Sequence, residues 1–195
     1  MQIILTRSIN KLSLQKYKIF KIDNFKSHKI NNLLSQSYKY SFIFNTEDLI
    51  QLDIDDFNEF NQIYIRKLLK KKCILFIIYS NRKLIYTTWT SVSNQTHKFI
   101  DSTSFKFLEK KKDFAVWGNA YTHNNFRNLG LNKFALQESI NYLNSIGLNY
   151  TFSSVNYKNL FSINSYTKLK SYFTYELKVI KILFLRLIFR RIYLY

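Results

Sequence analysis

Apolar residues fall along this chain in two different rhythms, and each change of rhythm marks an element. Residues 73–79 are seven consecutive apolar positions, and residues 83–92 form a second run rich in β-branched and aromatic side chains. Ser80, Asn81 and Arg82 separate the two, so together they predict a β-hairpin. In residues 55–71 the apolar positions Phe57, Phe60, Ile63, Ile65, Leu68 and Leu69 recur instead at roughly helical spacing. The acidic start and Lys-rich end of that segment suit the helix dipole. Residues 39–44 read as extended, followed by Asn45 or Thr46 as a helix cap ahead of Glu47 and Asp48. Residues 1–37 are weakly patterned and read as an N-terminal arm or peripheral strand, with one short strand at residues 17–22. Residues 94–112 read as a polar connection carrying a short strand at 105–108.

The second half of the chain alternates. Residues 113–122 predict a strand, with Gly118 as a bulge or close-approach point, and residues 123–128 a loop. A helix follows over residues 130–145, with Leu136, Ile140 and Leu143 on one face and Gly147 placed to end it. Residues 148–155 predict a strand and residues 159–170 a helix. Residues 172–189 are a long apolar run broken by Glu176, Lys178, Lys181 and Arg186. Strand, loop, helix, strand, helix, strand is an α/β order that needs at least one parallel crossover.

Composition sharpens this picture in three ways. The 195 residues hold 3 Gly and no Pro, where average usage gives about 14 and about 10. Asn, Lys, Ile, Phe and Tyr are abundant instead, as adenine- and thymine-rich codons dictate, so a Gly that survives this bias marks a backbone requirement. The 30 Lys and Arg against 12 Asp and Glu give a net charge of +18. That charge favours nucleic acid, a phosphorylated cofactor or an anionic membrane surface, although the same codon bias also inflates Lys. Cys73 is the single cysteine; it opens an apolar strand and reads as a buried small hydrophobe, with neither a disulfide nor a Cys-based zinc cluster expected. The start of the chain is too short in apolar residues for a signal-peptide core, and nowhere do about 18 uninterrupted apolar residues occur. The expected setting is cytoplasm, or the stroma or matrix of an organelle, in soluble or membrane-peripheral form.

The candidate chemistry lies where strand 113–122 leads into the helix through Phe126-Arg127-Asn128-Leu129-Gly130-Leu131-Asn132-Lys133. The first-turn N–H groups and the positive end of the helix dipole make such a junction ready for a phosphate. Gly130 permits a positive φ or a close approach, and Arg127 and Lys133 add charge on either side.

This half of the chain resembles the GNAT superfamily of N-acetyltransferases. The acyl-CoA motif of that family, Arg/Gln-x-x-Gly-x-Gly/Ala at a helix start, falls on Arg127, Gly130 and Asn132, and Asn132 departs from the usual small residue. A later family pattern, Asn-x-x-Ser/Ala followed by a Tyr four residues on, falls on Asn159, Ser162 and Tyr166. Lys168 and Leu169 continue it, while Lys170 and Ser171 replace the usual Gly-Phe. The resemblance is good over residues 113–173, extends less clearly to the hairpin, and is absent from residues 1–37.

The resemblance implies a single GNAT-like domain over residues 38–184, with a central twisted, mostly antiparallel sheet, a splayed parallel pair and flanking helices. It implies acetyl-CoA as acyl donor and a primary amine as acceptor, joined by direct attack. The pyrophosphate would lie on Arg127, Asn128, Leu129, Gly130, Leu131, Asn132 and Lys133. The pantetheine arm would run along the edge of the strand, beside the backbone of Ala120, Tyr121 and Thr122 and near Asn159. Tyr166 would protonate the departing thiolate. No general base is assigned: Asp113 sits at the wrong end of the strand, and His123 is a lone loop histidine. His28 and His97 carry no motif. The three histidines lack metal-ligand spacing, so no metal is expected. Asp53, Asp55, Asp56 and Glu59 open a helix and could attract an amine.

Residues 185–195 read as a basic, apolar C-terminal tail that could touch an anionic membrane. Two other readings stand beside the enzyme. One is a small basic RNA- or DNA-binding protein, supported by charge and aromatic content but by no nucleic-acid signature. The other is an inactive GNAT-like protein that binds CoA.

Overall fold

The apolar runs become strands and the helical spacings become helices, in the order β1 (Ser13–Asp23), β2 (Lys39–Ile43), α1 (Thr46–Ile50), α2 (Gln62–Lys70), β3 (Ile74–Ser80), β4 (Lys83–Ser91), α3 (Asn94–Ile100), β5 (Phe114–Thr122), α4 (Leu131–Ser145), β6 (Tyr150–Asn156), α5 (Leu160–Lys168), β7 (Tyr172–Ile182) and β8 (Leu185–Ile192). This computed structural model describes residues 13–24, 38–52, 54, 61–101, 113–168, 172–182 and 185–192. The chain forms two compact units, Asp23–Phe152 and, together, Met1–Ile22 with Ser153–Tyr195.

In the larger unit the strand order is β2-β3-β4-β5-β6. Neighbours are antiparallel as far as β5, and β5 and β6 are parallel. The β3–β4 hairpin turns at Asn81 and Arg82, both with positive φ, 49° and 62°. Two left-handed residues in a two-residue loop match the twist of the flanking strands. Phe76 and Ile78 on β3, with Ile85 and Tyr86 on β4, form a core cluster with Leu131, Phe134 and Ala135 of α4. The alternate residues Leu75 and Ile77 are equally buried. A strand covered on both faces has no polar alternation, which is why β3 reads as one continuous apolar run. At the far end of α4, Gly147 takes φ 79°, and Leu148 N donates to Leu143 O at 3.0 Å, closing the helix as expected.

Asn45 is the cap of α1: its side chain accepts from Asp48 N while the Asp48 carboxylate accepts from Asn45 N. Helix α2 begins later than the apolar spacing suggests, after Asn61, whose Oδ1 accepts from Tyr64 N at 2.9 Å. Ile63, assigned to the core-facing stripe of that helix, is 81% exposed. Residues 55–60, including three of the four acidic positions, lie outside the described residues, as do Asp53, His28 and the short strand expected at 105–108.

One segment is corrected outright. Residues 94–100, read as polar connection, form helix α3, capped by the Ser93 side chain. Thr96 and His97 are buried there because Ser91 Oγ hydrogen-bonds to Thr96 Oγ1 and, at 2.9 Å, to His97 Nδ1. Polar residues that satisfy one another can enter a core, and a hydropathy pattern does not reveal that.

In the smaller unit the order is β6-β1-β7-β8, with β6 running in from the larger unit. Strand β1 pairs antiparallel with β7 from Ser13↔Lys181 to Lys21↔Tyr172, and β7 pairs antiparallel with β8 from Tyr175↔Ile192 to Ile182↔Leu185. The part of the N-terminal arm described is thus an 11-residue strand. The tail reading of residues 185–195 gives way over Leu185–Ile192 to strand β8, every residue of which pairs with β7. Among the described residues, no helix is long and apolar enough to cross a membrane. The architecture is the mixed α/β one expected, with mostly antiparallel ladders, one parallel pair and flanking helices.

Candidate functional site

The parallel ladder between β5 and β6 registers only three pairs, Phe114↔Tyr150, Ala115↔Thr151 and Val116↔Phe152, yet β5 runs on to Thr122. On its other side β5 carries a bulge. Trp89 of β4 pairs with Gly118 and Thr87 with Tyr121, so three steps on β5 match two on β4. Asn119 absorbs the extra residue with φ 52°. Bulges re-aim a strand and are common beside active sites.

Two contacts fix the bulge. Thr88 Oγ1 donates to Gly118 O at 3.1 Å, and Asn119 Nδ2 donates to Tyr64 Oη at 3.4 Å. A Cβ on Gly118 would lie 3.3 Å from Ile100 Cγ2, so Gly118 is a close-approach residue and its neighbour supplies the left-handed turn. Beyond the bulge, Ala120 is exposed and Tyr121 and Thr122 are half-buried.

The chain then reverses into α4. His123 N donates to Ile85 O at 2.9 Å, and His123 Nδ1 accepts from Asn125 N at 3.4 Å. The imidazole therefore caps the single 3₁₀ turn Asn124–Phe126 and packs edge-on against Phe126. Arg127 Nε donates back to Thr122 O at 3.5 Å. Asn128 (φ 66°) and Gly130 (φ 77°) are both left-handed, which turns the loop sharply before Leu131.

Phe134 N donates to Gly130 O at 3.1 Å, closing the first turn of α4. The amides of Leu131, Asn132 and Lys133 precede that bond, and Gly130 offers them no side-chain cap. Arg127, Asn128, Leu129, Gly130 and Lys133 are exposed around this helix end, whereas the Leu131 side chain is buried in the core and contributes backbone alone. Asn132 is half-buried and its Oδ1 accepts from Tyr86 Oη at 2.9 Å. That bond explains a carboxamide where a smaller residue was expected: Tyr86 is fully buried, and its hydroxyl needs an acceptor. Nothing in the sequence marks Tyr86 or Thr88, because both sit inside a strand that reads as plain core.

Asn159 and Tyr166 belong to the smaller unit. Asn159 Oδ1 accepts from Ser162 N at 3.0 Å, so its side chain opens helix α5. Tyr166 is 3% exposed; its ring stacks on Phe20 at 5.0 Å and its hydroxyl donates to Ser153 Oγ at 2.7 Å. Burial pushes the phenol above its ordinary value, with the Ser153 hydrogen bond opposing, so it stays protonated at neutral pH. Ser153, which lies 13 positions before it, was not singled out by the sequence.

The other reactive side chains are accounted for by packing. Cys73 is buried, and burial pushes its thiol up to about 11, which suits an inert core residue. His97 lies 4.6 Å from the Phe114 ring, and burial holds it down to about 4. Asp113 stands at the opposite end of β5 from the bulge, with its carbonyl accepting from Asn149 N. Among the described residues no group of three His, Cys, Asp or Glu could hold a metal.

No protein-family model matches the sequence, and no curated protein matches it. The fold does have solved neighbours. A GNAT-family acetyltransferase from Colwellia psychrerythraea aligns over 92% of this chain and 61% of its own, with a TM-score of 0.57 and 12% identity. A putative GNAT-family acetyltransferase from Novosphingobium aromaticivorans aligns over 85% of this chain and 63% of its own, with a TM-score of 0.54 and 8% identity. A conserved protein of unknown function from Staphylococcus epidermidis aligns over 93% and 68%, with a TM-score of 0.52 and 8% identity. The chain therefore spans under two-thirds of the two named acetyltransferases, and at such identities the likeness is one of fold. The fold is that of the GNAT acetyltransferases, as the motifs implied.

Proposed function

We propose that this protein is an acyl-CoA-dependent N-acyltransferase that moves an acetyl group from acetyl-CoA to a primary amine. The observation that carries the reading is the start of α4 on this fold. Two left-handed residues, Asn128 and Gly130, lead into a helix end with no side-chain cap, flanked by exposed Arg127 and Lys133. Backbone N–H groups, the helix dipole and two cations suit a pyrophosphate there.

In this reading the neutral amine attacks the thioester carbonyl carbon, the C–S bond breaks, and the thiolate leaves with a proton. The N–H groups of Ala120, Tyr121 and Thr122, beyond the bulge, would polarise the carbonyl as its oxygen gains charge. The family resemblance assigns the proton to Tyr166, which burial keeps on its oxygen. His123 is occupied as a turn cap, so the proton of the attacking amine would pass to water, and water would return a proton to Tyr166.

Thermal-shift titration with acetyl-CoA tests the proposal, because a ligand that binds only the folded chain raises its melting temperature by mass action. Saturating acetyl-CoA is expected to raise Tm by several degrees. No shift, together with steeply salt-dependent RNA binding, would replace the enzyme by a nucleic-acid-binding protein. A shift without acetyl transfer to any of a panel of amines would make it a CoA-binding protein.

A further inference from the structure

In the smaller unit the start of β1 meets the end of β6, where Tyr157 N donates to Lys16 O at 2.9 Å. A cavity of about 390 Å³ opens there, lined by Leu14, Gln15, Lys16, Asn156, Tyr157 and Lys158. None of these residues belongs to the set assigned to acyl-CoA. The charge of the lining is wholly positive: two lysines, two carboxamides and no carboxylate. Lys16 Nζ lies 5.5 Å from the centre of the Tyr157 ring. Lys16 also stands directly opposite Lys178 in the β1–β7 ladder, a pairing of like charges, with Glu176 opposite Lys18 two positions along the same face.

The surroundings of the cavity are apolar. Leu14 is 56% exposed, Tyr157 49%, Leu160 66% and Phe161 65%. Single exposed apolar side chains are ordinary, but here Leu14 and Tyr157 line the cationic cavity, and Leu160 and Phe161 follow its Lys158 within three residues, in the first turn of α5. A free phosphate would answer the lysines and leave these apolar side chains in water. An anionic lipid surface answers both, because headgroup phosphate attracts Lys while apolar side chains enter the acyl boundary.

We propose that this pocket seats the phosphate headgroup of an anionic lipid, with Leu160 and Phe161 dipping into the interface beside it. The contact is then made by the start of β1, the β6–α5 turn and the first turn of α5, and the chain's net charge supplies only the long-range attraction. The proposal stands independently of acyl-CoA binding.

Vesicle co-sedimentation of the full chain tests it, using phosphatidylcholine alone and an equal mixture of phosphatidylcholine and phosphatidylglycerol. The protein is expected to sediment with the mixture only. The double change Lys16→Gln/Lys158→Gln is expected to weaken that binding by about tenfold or more, at about 1 kcal/mol per lysine near the surface. Lys67→Gln/Lys70→Gln removes the same charge from exposed positions of the larger unit and is expected to leave most of the binding intact. Leu160→Ser/Phe161→Ser is expected to lose vesicles while still binding glycerol 1-phosphate by calorimetry. Circular-dichroism melts confirm that each variant is folded. Failure to sediment overturns the proposal, and so does equal loss in the two lysine pairs, which would mean unspecific attraction. Vesicle binding untouched by the Leu160 and Phe161 changes would overturn the insertion of those side chains, and glycerol 1-phosphate binding by a parent chain that does not sediment would make the pocket a site for soluble phosphate. Gly130→Glu is expected to sediment like the parent; if it does not, the attraction lies at the start of α4 and the proposal falls.

Discussion

Gly130 has a conformational reason and a chemical one to be glycine. Its φ of 77° suits glycine, and any side chain there would stand at the mouth of the uncapped helix end. Gly130→Glu adds bulk and negative charge at that point, and is expected to abolish the acetyl-CoA thermal shift while the variant still melts cooperatively. Tyr166→Phe keeps the ring on Phe20 and removes the hydroxyl, losing both its proton and its hydrogen bond to Ser153, so turnover is expected to fall by about tenfold or more with the thermal shift retained. Unchanged turnover would remove Tyr166 from the mechanism. His97 gives a prediction in pH. Its folded pKa is held down to about 4 from 6.5, so between those values the unfolded chain binds the extra proton. Its contribution to stability is therefore complete above pH 6.5 and is lost as pH falls toward 4, up to about 3 kcal/mol in all. Chemical denaturation across that window is expected to show a flatter pH dependence in His97→Gln. The motif residues were legible because spacing to a helix start is a local property. His97, Tyr86 and Ser153 were not, because each is defined by a partner on another element.

At the scale of elements, β5 is where fold and candidate chemistry meet. The strand pairs with β6 for three residues and bulges against β4 at Asn119, and Thr88 holds the Gly118 carbonyl in place. Thr88→Val keeps the shape and removes the donor to the carbonyl of half-buried Gly118. It is expected to cost about 1 kcal/mol in urea unfolding and, by loosening the bulge, to lower turnover more than acetyl-CoA affinity. The hairpin, α1, α4 and β5 were all readable because cap, turn and periodicity signals are carried within each segment. Helix α3 was missed because its buried face is Thr96, His97 and Ile100, and the first two enter the core only through Ser91. Strand β8 was missed because its mixture of apolar and basic residues fits a helix lying on a membrane as well as a strand, until β7 offered a ladder.

For the whole molecule, 30 basic against 12 acidic residues mean self-repulsion in the folded state. Raising NaCl shortens the Debye length, so Tm is expected to rise with salt in circular-dichroism melts, in the absence of any ligand. The salt dependence also separates that general charge from the pocket of Lys16 and Lys158, whose effect is tied to position. By itself the sequence determined the α/β order of elements, the absence of a disulfide framework, and the strand–glycine–helix junction on which the acyl-CoA reading rests. These follow from properties of consecutive residues: periodicity, capping and the backbone freedom of glycine. Only the tertiary structure decided that residues 13–23 form a strand paired with β7, that His123 caps a turn, that Asn132 answers Tyr86, and that Leu14 and Lys16 meet Tyr157 and Lys158 around one cavity. Each of those depends on residues far apart in the chain being brought together by burial and hydrogen bonding, and no local pattern encodes which distant partner a side chain will meet.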